Sequence, residues 1–91
     1  MNYASIIQSM ISKNRYEISY VESVMKELRE WKKEADEKAE TEEEYLAHTT
    51  LQSYRKQLAK LVGYQKYLKK ALAMEHAIAR DEKQMEDFLG L

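Results

Sequence analysis

Residues 34–45 read EADEKAETEEEY, and this acidic stretch is the best place for a break in a sequence that otherwise has an uninterrupted helical pattern. Thr41 and Glu44 have the spacing of an S/T-x-x-E capping box, in which the threonine oxygen accepts from a backbone amide of the new helix. Glu42 and Glu43 join Glu44 in the first turn, where the helix dipole favours negative charge. Because the connection contains neither glycine nor proline, the sequence predicts a short turn rather than a loose loop.

The chain before this break is expected to form a helix from about residue 3 to about residue 38. Its apolar residues recur at spacings of three and four, as one face of a helix requires. They are Ala4, Ile7, Ile11, Ile18, Val21, Met25, Leu28 and Ala35, flanked by Tyr3, Met10, Val24 and Trp31. Asn14 falls on this face and has two interpretations. The favoured one is a polar residue tolerated near a frayed end; the other is a buried asparagine that fixes the register between helices.

The chain after the break is expected to form a second helix from about residue 42 to about residue 88, and it carries two apolar seams. The first seam consists of Leu51, Tyr54, Leu58, Leu61, Gln65, Leu68 and Leu72. The second seam consists of Tyr64, Tyr67, Ala71, Met74, Ile78, Met85 and Phe88. At 100° per residue the two seams lie about 140° apart on the helix. A single helix carrying both must present them to different partners.

Gly63 is where this second helix has an alternative, a kink or break that would give three helices in one chain. A glycine in a helix interior costs about 1 kcal/mol relative to alanine, which alone does not end a helix. No polar turn residues surround Gly63, although a tight helical turn usually contains them. The continuous helix is therefore favoured.

These patterns predict an all-α fold in a single domain over residues 1–91, built as a long antiparallel helical hairpin. The first helix is long enough to cover the second to about Ala77, so residues beyond Ile78 should overhang. The second seam would then stay uncovered within one chain, and exposed apolar stripes of this size mark association sites. We therefore expect a homo-oligomer, most simply a dimer that forms a helical bundle, with the second seam as its self-association or partner face.

Composition gives no support for catalysis or for cofactor binding. The 91 residues include no cysteine, no proline and two glycines, so thiolate metal sites and glycine-rich phosphate loops are missing. His48 and His76 are well separated, and Glu44 with His48 would supply two metal ligands where a useful site needs three or four. We expect no catalytic, cofactor or metal site and no enzyme activity. Without a run of about 20 apolar residues we also expect no membrane partner. The lack of cysteine makes the cytoplasm the default location.

The net charge of −1 conceals a strongly basic stretch over residues 45–74, which contains no carboxylate. Its six basic residues are the candidate polyanion contacts: Arg55, Lys56, Lys60, Lys66, Lys69 and Lys70. Acidic stretches on both sides would repel a long polyanion, so nucleic-acid binding through the stripe from Arg55 to Lys70 is the alternative function. The leading expectation is a non-enzymatic protein-interaction module, a scaffold, assembly factor or inhibitor acting in a regulatory or accessory role on a protein partner.

Overall fold

The structure is a computed structural model that describes residues 2–90, and it consists of two α-helices packed antiparallel as a hairpin. Helix α1 spans Tyr3–Glu37 and helix α2 spans Thr41–Leu89. The side chain of Asn2 caps α1 by accepting a 3.1 Å hydrogen bond from the backbone nitrogen of Ser5. The predicted helical hairpin is confirmed, and each helix end lies within one residue of its expected position.

A Schellman motif closes the end of α1 and turns the chain back on itself. The backbone nitrogen of Ala39 donates to the Asp36 carbonyl at 3.1 Å, and that of Glu40 donates to the Ala35 carbonyl at 2.9 Å. This motif requires one residue in the left-handed conformation, a place that glycine usually takes. Here Ala39 takes it, with φ of 55°. The short turn predicted from the lack of glycine and proline is confirmed, and its backbone is strained at one residue.

The predicted capping box between Thr41 and Glu44 does not form. Glu40 occupies the N-cap position without a side-chain cap bond, and Thr41 is already the first helical residue. The Schellman motif that closes α1 ends at Glu40, and the chain is helical again from Thr41. The backbone nitrogen of Glu44 therefore donates to the Glu40 carbonyl at 3.0 Å. A hydrogen bond to Glu43 and the negative charge of that carboxyl raise the pKa of Glu40. Crowded carboxylates therefore offset part of the benefit of acidic residues at this helix start.

Helix α2 runs through Gly63 without interruption, so the three-helix alternative is wrong. A Cβ added at Gly63 would meet no atom within 4 Å, which shows that no close approach of another element requires a glycine there. Leu61 and Leu68 on either side pack against α1, half-buried and buried respectively. Packing of this kind outweighs a propensity cost of about 1 kcal/mol.

The core is a narrow row of side chains along the contact between the two helices. Its central cluster is Val21, Met25 and Leu51, and the half-buried residues packed around it are Leu28, Tyr54, Leu58 and Leu61. The cluster joins the apolar face of α1 to the first seam of α2, as the helical periodicity predicts. Two helices contact each other along one side each, so the core is one side chain deep.

The hairpin exposes much more surface than a compact chain of its size. Its accessible area is 7352 Å², against about 5,500 Å² for a compact monomer of this mass. Its radius of gyration is 21.5 Å, against about 12 Å for a compact 91-residue domain. The excess of about 1,800 Å² follows from the rod shape, because the outer sides of both helices remain uncovered.

The left-handed alanine of the turn gives a test of the Schellman motif. Ala39→Gly removes the steric cost of a Cβ at positive φ, and we expect it to stabilise the hairpin by about 0.5–1 kcal/mol. Ala59→Gly makes the same change at an exposed position inside α2, where we expect a loss of about 1 kcal/mol. Urea unfolding followed by circular dichroism measures both. Equal destabilisation by the two substitutions would contradict the left-handed turn.

Candidate interaction surface

The second seam of α2 points away from the core. Six of its seven residues are exposed, led by Tyr67 at 66%, Met74 at 65% and Phe88 at 86%, and Ala71 is half-buried. The first seam packs against α1, so a second seam about 140° away cannot reach the same neighbour. The uncovered position expected for these side chains is the one that the structure shows; whether they bind a partner remains a prediction.

Helix α1 adds three apolar side chains to the same side of the hairpin. Tyr3, Ile6 and Met10 follow one another at spacings of three and four and are 55%, 47% and 40% exposed. Met10 lines a cleft of about 180 Å³ together with Tyr64 of α2. At the open end of the hairpin, Tyr3 lines a second cleft, of about 360 Å³, together with Ile78. Both helices therefore contribute apolar side chains to these clefts. Polar residues line them as well: Lys13, Asn14 and Glu17 line the first, and Asn2, Glu75, His76 and Glu82 line the second.

We call this surface the apolar face. Its residues are Tyr3, Ile6, Met10, Tyr64, Tyr67, Ala71, Met74 and Ile78. Tyr3 and Met10 flank the α1 pattern in the sequence, but they were not predicted to lie beside the second seam. Ile6 was not predicted as part of this surface. The available signal was the antiparallel topology itself, since matching edges of two antiparallel helices lie side by side.

Two tyrosines form an aromatic platform within the apolar face. The rings of Tyr64 and Tyr67 stack at a centroid distance of 6.4 Å with an interplanar angle of 17°. Stacked rings restrict each other's rotation, so less side-chain entropy remains to be lost on binding. Their hydroxyl groups also allow exposure to water while the ring faces stay available for an apolar contact.

Helix α2 continues past the first residue of α1 as an overhang over residues 79–89. All of these residues are exposed, and they include Met85 at 60%, Phe88 at 86% and Leu89 at 59%. The overhang expected from the unequal helix lengths is present. An unsupported helical segment of this length is marginal in water, because helix propensity alone does not stabilise it.

A buried asparagine links the two helices beside the apolar face. Asn14 is 3% exposed, and its Nδ2 donates to the Leu61 backbone carbonyl of α2 at 3.0 Å. The interpretation favoured from the sequence, a polar residue at a frayed end, is wrong because the side chain is buried between ordered helices. Among the described residues its Oδ1 is buried without a hydrogen-bond partner, so the Nδ2 bond to Leu61 offsets only part of the cost of burying this amide. Asn14 lines the same cleft as Met10 and Tyr64.

The basic residues predicted as polyanion contacts are all exposed along α2. They are Arg55, Lys56, Lys60, Lys66, Lys69 and Lys70, and they extend over about 22 Å of helix. The structure also brings three basic residues of α1 to this region, which sequence analysis missed. Arg29, Lys32 and Lys33 line one cleft with Arg55, together with Asp36 and Glu44. These carboxylates keep the cleft from being uniformly positive.

Neither histidine takes part in a cluster of chemically reactive groups. His48 is half-buried, and its Nδ1 accepts a hydrogen bond of 3.0 Å from Lys32 Nζ, so this nitrogen is occupied. His76 is exposed. Across residues 2–90, no three histidine, aspartate or glutamate side chains are grouped closely enough to hold a metal ion. Within the same residues, neither helix has a stretch long and apolar enough to cross a membrane.

No family model, curated protein or solved structure matches this chain. Any proposal about function therefore depends on the surface of the hairpin.

The buried amide gives a pH-dependent test of the register. Asn14→Asp removes the donor to Leu61 and buries a carboxylate against a carbonyl, and we expect a loss of about 2–4 kcal/mol at neutral pH. Burial raises the folded-state pKa of the introduced carboxyl above its unfolded value. The loss should therefore vanish below the unfolded pKa, where the protonated carboxyl can donate again, and grow as the pH rises through the folded pKa.

Urea unfolding of Asn14→Asp and of the wild type at matched pH values measures this difference. Gln8→Glu makes the same amide-to-acid change at an exposed position of α1 and should alter stability by less than about 0.5 kcal/mol. Equal stability of Asn14→Asp and Gln8→Glu across the pH range would show that Asn14 is not buried between the helices.

Proposed function

We propose that this chain is a non-enzymatic, homo-oligomeric protein-interaction module of the cytoplasm, which binds helical surfaces through its apolar face and overhang. The observation that carries the proposal is that exposed apolar side chains of α1 and α2 lie side by side, with Met10 and Tyr64 lining one cleft and Tyr3 and Ile78 another. A scaffold, an assembly factor and an inhibitor would all use a surface of this kind to hold a larger protein.

The size of this surface supports binding rather than incidental exposure. Its large side chains are between 40% and 86% exposed, which amounts to about 1,000 Å² if a fully exposed side chain offers roughly 200 Å². Typical monomers have a largest apolar patch of about 300–600 Å². A standard protein interface uses about 800 Å² on each partner. The apolar face and the overhang together meet that requirement.

The chemistry of the apolar face favours a helical partner. Its side chains lie in ridges at spacings of three and four, which fit the grooves between the ridges of another helix. Met10 and Met74 have flexible side chains that adapt to irregular neighbours, and Tyr64 and Tyr67 supply rigid rings beside them. The proposed target is therefore an amphipathic helix or helix pair that buries its own apolar ridge against this face.

The test compares two baits that differ in the face on which a charge is placed. Met74→Glu puts a carboxylate in the middle of the apolar face, and Ala73→Glu puts the same group at the neighbouring exposed position on another side of α2. Both side chains are exposed, so both variants should keep the helicity of the wild type. We expect affinity capture from the native host to return a stoichiometric protein, either another protein or the host's own copy of this chain, with wild type and Ala73→Glu and to lose it with Met74→Glu.

Equal capture of that protein by both variants would remove the apolar face from the binding site. Loss with both variants would show that charge anywhere on this part of α2 prevents binding, which would also contradict the proposal. Circular dichroism of each bait confirms that a loss of capture is not a loss of fold.

A second candidate function is polyanion binding by the basic stripe from Arg55 to Lys70, supported by the exposure of all six side chains. Binding to a DNA or RNA duplex should then weaken steeply with salt as counterions are released. Reversal of Lys56, Lys60 and Lys66 to glutamate should abolish that binding, while Met74→Glu should leave it unchanged. Duplex binding with this pattern would favour the second candidate over the first.

A further inference from the structure

We propose that the occupant of the apolar face is a second copy of this chain, with the two α2 helices antiparallel about a two-fold axis at the level of residue 76. This inference rests on the proposed function, because it names the partner of the same face. It is carried by three features of α2: the spacing of the exposed ridge, the distribution of charge along it, and the length of the overhang.

The exposed ridge of α2 is self-complementary in the antiparallel direction. Its positions are 64, 67, 71, 74, 78, 81, 85 and 88, with spacings that alternate between three and four along the whole length. A two-fold axis at the level of residue 76 places Tyr64 opposite Phe88, and Met74 opposite Ile78. Every position of the ridge then has a counterpart on the other copy, and a ring in one copy meets a ring in the other.

Charge distinguishes the antiparallel arrangement from the parallel one. Residues 64–74 contain three lysines and no carboxylate, a net charge of +3. Residues 78–88 contain four carboxylates and two basic residues, a net charge of −2. The antiparallel pairing places the positive segment of each copy alongside the negative segment of the other. A parallel pairing would place like charges together along the whole interface, which costs free energy.

Asp81 is the one charged residue on this ridge, and the arrangement gives it a partner. It is exposed in the hairpin and would lie opposite Ala71 of the other copy, next to Lys70 of that copy. Because the pairing is two-fold, the contact between Asp81 and Lys70 occurs twice in each dimer. Within one chain these residues are separated by about 16 Å along the helix and cannot pair with each other. A contact between them is therefore a contact between copies.

The overhang explains why each hairpin would need its copy. In the antiparallel dimer, residues 79–89 of one chain lie along residues 63–73 of the other, beside Ile6 and Met10 of its α1. The two-fold symmetry then buries Met85 and Phe88 of both copies. The large apolar residues of the ridge, with Ile6 and Met10, offer at most about 900 Å² per copy, about half of the excess surface of about 1,800 Å² that the rod shape leaves.

The experiment is sedimentation of the full chain and of a charge-swap set. The wild type should be a dimer at micromolar concentration. Lys70→Glu and Asp81→Lys each create two like-charge contacts per dimer, and each should raise the dimer dissociation constant about tenfold. The chain carrying both substitutions restores opposite charges at both contacts, so its dissociation constant should return to within about threefold of wild type.

Lys69→Glu is the matched control, since it makes the same charge reversal at an exposed position on another side of α2. We expect it to change the dissociation constant by no more than about threefold. Circular dichroism of all four variants establishes that their monomers are equally helical. A wild type that stays monomeric throughout the micromolar range would overturn the proposal. A dimer in which the doubly substituted chain is as weak as the sum of the single substitutions would overturn it as well.

Two different results distinguish the absence of the dimer from the absence of the proposed interaction function. A monomeric wild type whose host protein is lost with Met74→Glu and kept with Ala73→Glu retains the interaction module and removes the second copy. A dimer with charge-swap rescue establishes the second copy whatever the host capture returns.

Discussion

Two helices packed side by side cover one side of each other and leave the rest in water, and this limit governs the hairpin. The core is one side chain deep, so its apolar contacts run as a line rather than fill a volume. An apolar side chain off that line is not covered by the other helix. The second seam of α2 lies about 140° from the first and therefore stays exposed, and the accessible area of 7352 Å² reflects this geometry. Association with further helices is the general way to relieve such exposure.

The turn and the buried amide of Asn14 help to determine which side chains form the exposed apolar surface. The Schellman closure at Ala39 fixes where α2 begins, and the bond from Asn14 to Leu61 fixes how far it slides along α1. With both set, Tyr3, Ile6 and Met10 align with the second seam and α2 projects beyond α1 by a fixed length. This alignment places Met10 beside Tyr64 and Tyr3 beside Ile78.

The helices, both seams and the overhang could be predicted from the sequence, because periodicity and helix length indicate which side of each helix is buried. The capping box was a wrong prediction because the local pattern at Thr41 does not show how the previous helix closes. The left-handed conformation of Ala39 is unfavourable for alanine alone and exists because two helices pack on either side of it. The roles of Asn14 and Ile6 could not be predicted from the sequence, because they depend on which residues of α2 lie opposite them.

We propose that the exposed apolar side of α2 is covered by another helical surface, which a second copy would supply. Amide hydrogen exchange over residues 79–89 at a series of protein concentrations tests it most directly, since an uncovered helix end opens freely. If a second copy covers this segment, its protection rises with protein concentration towards that of residues 47–68. Rapid exchange of residues 79–89 at every concentration, with the rest of α2 protected, would contradict it.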